Sequence, residues 1–369
     1  MRSSHLMTAI FSVAGTIALA QQAQPPVLKS PEILADRRVI LRLWAPKANE
    51  IQLTGDWMGP TPPVALSKDE SGVWSIIAGP FEPNIYTYGF LVDGVRTIDP
   101  SCGCALTWAG RGASSKFTIT GPAPNPWDEQ AGPKGTLHHE TYFSTQQKRL
   151  RKFVVYTPAD YRESESRRYP VLVLLPGVPG DESDWTAGGG FAEVIFDNLI
   201  AGKKMRPMIV VMHASAVLPS GTRAEHLKEF EPLLVNELAP EIRKRYRAAA
   251  KPELWAIAGL SLGGEFAMTV GLRHPELFRT VASLSGSMVE RDFEDRFGKA
   301  LSKPAEIASR YRMIWIGCGA GDIFFGGNKA LAAKFTAAGI KNQFVELPGF
   351  HHMPVFRREL LDLLPRLFQ

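Results

Sequence analysis

Two rhythms divide the chain. Between residues 37 and 120, apolar and polar side chains alternate: Val39, Leu41 and Leu43, then Ile51 and Leu53, Trp74 and Ile76, and Tyr86, Tyr88, Phe90 and Val92. A period of two predicts half-buried strands. Asp69-Glu70-Ser71-Gly72 and Asp93-Gly94 fall between them as turn signals. Short strands broken by turns about every 8–12 residues predict a β-sandwich. From residue 135 onward the apolar runs are continuous instead. Val171–Leu175, Trp255–Ala258 and Met313–Ile316 read as buried strands, and helix-like segments such as 265–272 lie between them. Residues 121–134, opening Gly-Pro-Ala-Pro-Asn-Pro-Trp, read as a proline-rich linker that holds the two regions apart semi-rigidly.

The length of 369 residues agrees with two domains. With 45% hydrophobic and 21% charged residues, the composition is that of a globular chain and excludes a disordered one. The formal charge is +5, interspersed without a dense basic block, which argues against nucleic acid as a partner. Residues 1–20 read as a secretory signal: Arg2 supplies the positive start, an apolar stretch follows, and Ala18-Leu19-Ala20 forms a cleavage site before Gln21. The expectation is export to the periplasm or the cell exterior. The apolar stretch is too short for a stable membrane span, and no later segment approaches one. Cys102, Cys104 and Cys318 are expected to form no disulfide framework, because one glycine between the first two would strain a bridge. Cys318 reads as a buried apolar residue. No histidine or cysteine spacing fits zinc, and no cofactor is expected. His138-His139 reads as a surface or packing pair.

The chemistry is carried by Gly259-Leu260-Ser261-Leu262-Gly263-Gly264, between an apolar run and a helix-like segment. That context makes it a nucleophile elbow, with Ser261 exposed at the top of a sharp turn. Gly259 and Gly263 leave room for close backbone approach. The elbow predicts an α/β-hydrolase domain over 135–369, a mostly parallel sheet with helices on both faces. A serine hydroxyl needs a base, and the base needs an acid to orient it. After Ser261 the chain holds His274, His351 and His352. His274 reads as a helix terminus. His351 and His352 lie in a loop after the strand 343–347, where the base is expected, and the pattern leaves both open. Asp322 follows the strand Met313–Gly317 and has the right order for the acid. Asp292 and Asp295 sit in a charged stretch that reads as solvated surface. The oxyanion requires two backbone N–H donors. Leu262 directly follows the nucleophile. Val178 is the best candidate in the loop after 171–175, since Pro176 and Pro179 cannot donate. His352, Met353 and Trp185 are candidates for the rim of the substrate cleft.

With these residues placed, 135–369 resembles the feruloyl-esterase and acetyl-xylan-esterase type of carbohydrate esterase. That group lies in a wider esterase family with enterochelin esterases and mycolyltransferases. Segments that carry the resemblance include Phe153-Val154-Val155-Tyr156-Thr157-Pro158, Tyr169-Pro170-Val171-Leu172, Ala256 to Ser261, and His274-Pro275-Glu276-Leu277-Phe278. The resemblance implies Ser261 as nucleophile, Asp322 as acid and His351 as base. The family pattern of Gly-Gly-His, a small polar residue and Trp is altered here to Gly349-Phe350-His351-His352-Met353, and Pro176 stands where histidine is usual. The front segment, from Leu43-Trp44-Ala45-Pro46 to Gly55-Asp56-Trp57 and on to Asp99-Pro100, resembles the immunoglobulin-like carbohydrate-binding modules of glycogen-branching and isoamylase-type enzymes.

The resemblances imply an exported serine esterase acting on feruloyl or acetyl esters of plant polysaccharides. Alternatives are an enterochelin-type siderophore esterase or acyltransferase, and a glycan-binding protein without activity. Trp57, Trp74 and Trp108 invite a sugar-stacking role, with sandwich core as the competing expectation. The front domain is equally expected to pack on the esterase and wall its cleft.

Overall fold

The computed structural model describes residues 25–108, 112–163 and 165–369. The signal-like segment 1–20 lies outside them. The front region holds β1 (Glu32–Ile33), β2 (Val39–Trp44), β3 (Ile51–Gly55), β4 (Val64–Ala65) and β5 (Ser67–Lys68). It continues through β6 (Val73–Ala78), β7 (Asn84–Val92), β8 (Val95–Thr97), β9 (Ala105–Trp108) and β10 (Gly112–Ile119). The second region holds β11 (Thr136–Ser144), β12 (Arg149–Thr157), β13 (Val171–Leu175) and β14 (Ile209–Met212). Then come β15 (Trp255–Leu260), β16 (Thr280–Leu284), β17 (Met313–Gly319) and β18 (Gln343–Leu347). Its helices are α1 (Ala192–Ala201), α2 (Arg223–Leu233), α3 (Ala239–Arg245), α4 (Leu262–Arg273), α5 (Phe293–Leu301), α6 (Pro304–Arg310), α7 (Phe325–Ala337) and α8 (Met353–Leu363).

The front strands form two antiparallel sheets, β1-β2-β6-β5 and β4-β3-β7-β10-β9, with β8 paired to β7. The first sheet starts at Glu32, earlier than the alternation implied. Val39, Leu41 and Leu43 of one sheet meet Ile51, Leu53, Tyr86, Tyr88, Phe90 and Phe117 of the other in a common core. Asp93 and Gly94 both take positive φ, which closes the β7–β8 hairpin with the twist that two-residue turns favour. Trp57 packs edge-on against Phe81, Tyr86 and Phe117. Trp74 is buried and donates its indole N–H to the Ala45 carbonyl. Both rings therefore belong to the core rather than to a sugar-stacking face. The side chain of Trp108 lies outside the described residues. Cys102 and Cys104 are joined as a disulfide with Cα atoms 5.1 Å apart, against the expectation from their spacing. Gly103, at φ 60°, lets the chain double back between them.

The second region is an eight-stranded sheet ordered β11-β12-β14-β13-β15-β16-β17-β18, antiparallel up to β14 and parallel from there on. Both faces are covered over the central strands β13 to β17, so these carry no polar face. Val171, Val173 and Leu175 enter one core, and Leu172 and Leu174 the other. This is the α/β-hydrolase-like arrangement that the elbow predicted.

The stretch 121–134 does not hold the regions apart. Trp127 is buried in the second region's core. Asn198 Nδ2 donates to the carbonyls of Pro126 (2.9 Å) and Asp128 (2.8 Å). Burial of an indole outweighs the freedom of a short linker. The regions also touch directly through β7. Its even residues Tyr86, Tyr88 and Phe90 face the front core, whereas Ile85 joins the core of the second region. Arg357 of α8, wholly buried, donates to Asn84 Oδ1 through Nε (3.1 Å) and Nη2 (2.9 Å), to the Gly189 carbonyl (2.6 Å), and to the Ile85 carbonyl. Asn84 in turn donates to the Pro354 carbonyl at 3.1 Å.

Candidate active site

Ser261 stands between β15 and α4 at φ 53° and ψ −121°, a backbone conformation that a β-carbon disfavours. The turn holds it there: its N–H donates to Leu284 O (3.1 Å), and its carbonyl accepts from Ser287 N (2.9 Å) and Glu265 N (3.1 Å). A β-carbon on Gly259 would lie 2.4 Å from the Gly263 carbonyl, and one on Gly263 would lie 2.3 Å from Pro176 O. Both glycines are therefore required by close packing. Beneath the elbow, Glu265 is buried and accepts from Arg223 (2.9 Å), Arg296 (3.1 Å) and the Ser287 hydroxyl (2.7 Å). The sequence reading had not singled out this network.

Asp322 follows β17 and His351 follows β18. Two backbone bonds zip their loops together, Ala320 N to Leu347 O (2.7 Å) and Gly321 N to Gly349 O (2.8 Å). Asp322 is buried; its Oδ1 accepts from Phe324 N at 2.8 Å, and its Oδ2 lies 2.7 Å from His351 Nδ1. His351 Nε2 lies 2.9 Å from Ser261 Oγ. The imidazole is steadied by the edges of Phe324 and Phe356, at centroid distances of 5.3 and 5.0 Å. The geometry thus joins Ser261, His351 and Asp322. His352 turns the other way: its Nε2 accepts from Phe350 N at 3.3 Å, and burial, with help from Arg358 and Arg357, lowers its pKa to about 4.

His352 and Met353 border the cavity, although Met353 is largely buried. Trp185 is not on the rim. It is 1% exposed, lies in the core and donates to Leu175 O at 3.0 Å, so it packs beneath the loop after β13. Leu262 opens α4, where its amide has no preceding helical carbonyl to bond. Gly177 lies against Ser261, with a β-carbon there meeting Ser261 Cβ at 3.0 Å, and Val178 comes next in that loop. His274 ends α4 between Glu231 and Glu276, and Asp292 pairs with Arg223. Cys318 is buried, and burial pushes its thiol pKa up.

A cavity of about 530 Å³ opens over Ser261 and His351, a size suited to a small organic substrate. Leu260, Phe350, Met353 and Phe356 line one side. Thr54, Asp56, Thr87, Arg96 and Ser114, all from the front region, line another, and the sequence pattern marked none of them as a site residue. Phe350, the departure from the glycine pattern, has its place here: a β-carbon on Gly59 would lie 2.7 Å from its ring. The ring reaches across to the front region.

A family model described as "Putative esterase" matches residues 144–367. An endo-1,4-beta-xylanase/feruloyl esterase from Xylanibacter ruminicola is 30% identical over 356 residues, covering 93% of this chain and 46% of the relative. The chain spans less than half the length of the curated relatives it matches. A solved ferulic acid esterase superposes with a TM-score of 0.57 at 25% identity, covering 63% of this chain and 98% of its own. Enterobactin esterase from Shigella flexneri superposes with a TM-score of 0.72 at 19% identity, over 90% of this chain and 93% of its own, and so shares the fold of both regions.

Proposed function

The chain belongs to the Esterase family, whose model spans 144–367, and we propose that it hydrolyses carboxylic esters through Ser261, His351 and Asp322. The bonded series from Asp322 through His351 to Ser261 Oγ is the observation that carries this reading. His351 Nε2 takes the hydroxyl proton as Ser261 Oγ attacks the ester carbonyl carbon. The tetrahedral oxyanion is held by the amides of Leu262 and Val178. His351 then gives the proton to the leaving alcohol, and an acyl-enzyme remains. Water attacks the acyl carbon, His351 takes its proton, and the acid departs as the proton returns to Ser261. Asp322 keeps His351 oriented and balances its transient charge.

The substrate we favour is a feruloyl or acetyl ester on a plant polysaccharide, supported by the named activity of the Xylanibacter relative. The front sheets, read as an immunoglobulin-like module over 37–120 joined by 121–134 to the esterase domain 135–369, then serve recognition. Export follows from residues 1–20. Among the described residues no helix is long and apolar enough to cross a membrane. A second reading, a siderophore esterase, is favoured by the enterobactin esterase likeness, which extends over both regions.

The test is hydrolysis of methyl ferulate and p-nitrophenyl acetate by the protein beside Ser261→Ala. Cleavage abolished in the variant is expected. Equal rates in both proteins would discard the serine mechanism. Inertness of the native protein toward these and toward enterobactin would favour the glycan-binding alternative.

A further inference from the structure

We propose that the outer face of the front sheet β4-β3-β7-β10-β9 holds the alcohol half of the ester, with Asp56, Thr87 and Arg96 hydrogen-bonding hydroxyl groups of a sugar. The proposal rests on the esterase reading of Ser261.

The face is defined by the pleat. On β7, Tyr86 and Tyr88 point into the front core, so Thr87 points out; by the same alternation Thr54 of β3 and Ser114 of β10 point outward. This outer face meets the second region. Lys116, on the same face, sits 4.8 Å over the Phe191 ring. Thr54, Thr87 and Ser114 therefore border the cavity that contains Ser261.

The two cavity walls differ in kind. The side formed by Leu260, Phe350, Met353 and Phe356 suits an apolar acyl group. The front wall carries hydroxyls, a carboxyl and a guanidinium, which suits a polyhydroxylated group. Arg96 donates through Nη2 to Ser114 Oγ (2.9 Å) and through Nη1 to Thr54 Oγ1 (3.5 Å). Among the described residues it has no ion-pair partner, so its remaining N–H groups are open to neutral oxygens. Asp56 Oδ2 accepts from Thr87 Oγ1 at 3.0 Å, while Oδ1 has no partner among the described residues. Burial raises the Asp56 pKa to about 7, so near neutrality the carboxyl both donates and accepts. Adjacent sugar hydroxyls require that mixture of donors and acceptors. The groups sit on or beside paired strands, which holds them in register.

The experiment compares esters that share an acyl group: methyl ferulate against feruloyl-arabinose, and p-nitrophenyl acetate against acetylated xylo-oligosaccharide. The readout is kcat/KM for the sugar ester divided by that for the simple ester. Arg96→Ala and Asp56→Ala are each expected to lower this ratio by about tenfold, the loss of one hydrogen bond, and Arg96→Lys and Asp56→Asn to recover part of it. A role confined to stability lowers both rates and leaves the ratio intact, which would overturn the proposal. A native protein with no preference for sugar esters would also overturn it while leaving the esterase reading in place. If the native protein cleaves no ester, that reading fails instead. Calorimetric titration of Ser261→Ala with feruloyl-arabinose then decides the wall: weaker binding after Arg96→Ala upholds it, and equal or absent binding ends it.

Discussion

The two walls of the cavity are made in different ways. The α/β wall places its chemistry through short-range backbone devices: a strained serine turn boxed by Gly259 and Gly263, and two loops zipped by the bonds of Ala320 and Gly321. The front wall has no such device. Its polar groups come from β3 and the turn after it, β7, β8 and β10, brought together by sheet pairing and aimed by docking on α8. Reactivity is thus encoded locally, and recognition is encoded in the packing of one region on another.

The sharpest break in that comparison is between two adjacent histidines. His351→Ala is expected to lower kcat/KM on a simple ester by about 10⁴-fold or more. Asp322→Asn should cost a similar factor, because His351 loses its acceptor at Nδ1. His352→Ala should stay within about tenfold, since among the described residues its ring bonds only the Phe350 amide. Steady-state kinetics on p-nitrophenyl acetate distinguish them, and a larger loss at His352 would reverse the assignment.

Arg357 joins the walls. Its replacement by alanine takes a donor from the carbonyls of Ile85 and Gly189 and leaves Asn84 Oδ1 with the Ile85 N–H. The expected loss is about 2–3 kcal/mol in urea unfolding, the cost of buried carbonyls left short of a donor. A loss below about 1 kcal/mol would mean that the regions are held by apolar contact at Ile85 and Trp127 alone.

This division explains what could be read from the chain. Ser261, Asp322 and the histidine pair were legible because an elbow and strand-end loops are short patterns in a fixed order. The polar positions Thr54, Thr87 and Ser114 were not. An outward residue of an alternating strand looks the same whether water or a second region covers it. Phe350 was visible as a departure, yet its contact with Gly59 depends on docking that no local pattern encodes. Trp127 misled for the same reason: a proline-rich context says nothing of the core beside it. Cys102 and Cys104 pair because Gly103 adopts a backbone conformation that the spacing argument did not allow for.

The walls also oppose each other in pH. His352 has its pKa lowered to about 4, below the usual histidine value, so the unfolded chain binds the proton more readily. Its contribution is whole above about pH 6.5 and is lost as pH falls toward 4. Asp56 is raised to about 7, so its contribution is whole below about pH 4 and is lost as pH rises through 7. Each slope is at most about 1.4 kcal/mol per pH unit. Thermal melts from pH 4 to 8 should show His352→Gln flattening the acid limb and Asp56→Asn raising stability near neutrality. Slopes of the same sign in both variants would refute this opposition.

The smallest effect asks whether the regions fold as one. Asp69 Oδ1 accepts from Ser71 N (2.9 Å) and Val73 N (3.0 Å) in a front-region turn. Thr222 caps α2 in the second region through a reciprocal pair with Glu225. Asp69→Ala and Thr222→Ala each remove about 1 kcal/mol of local stabilisation. Because Ile85 and Arg357 tie β7 into the second core, calorimetry is expected to give one transition that both variants lower alike. Two transitions, each moved by only one variant, would mean that the front wall is a separable module. The shared cavity would then depend on docking between independently stable parts rather than on a common fold.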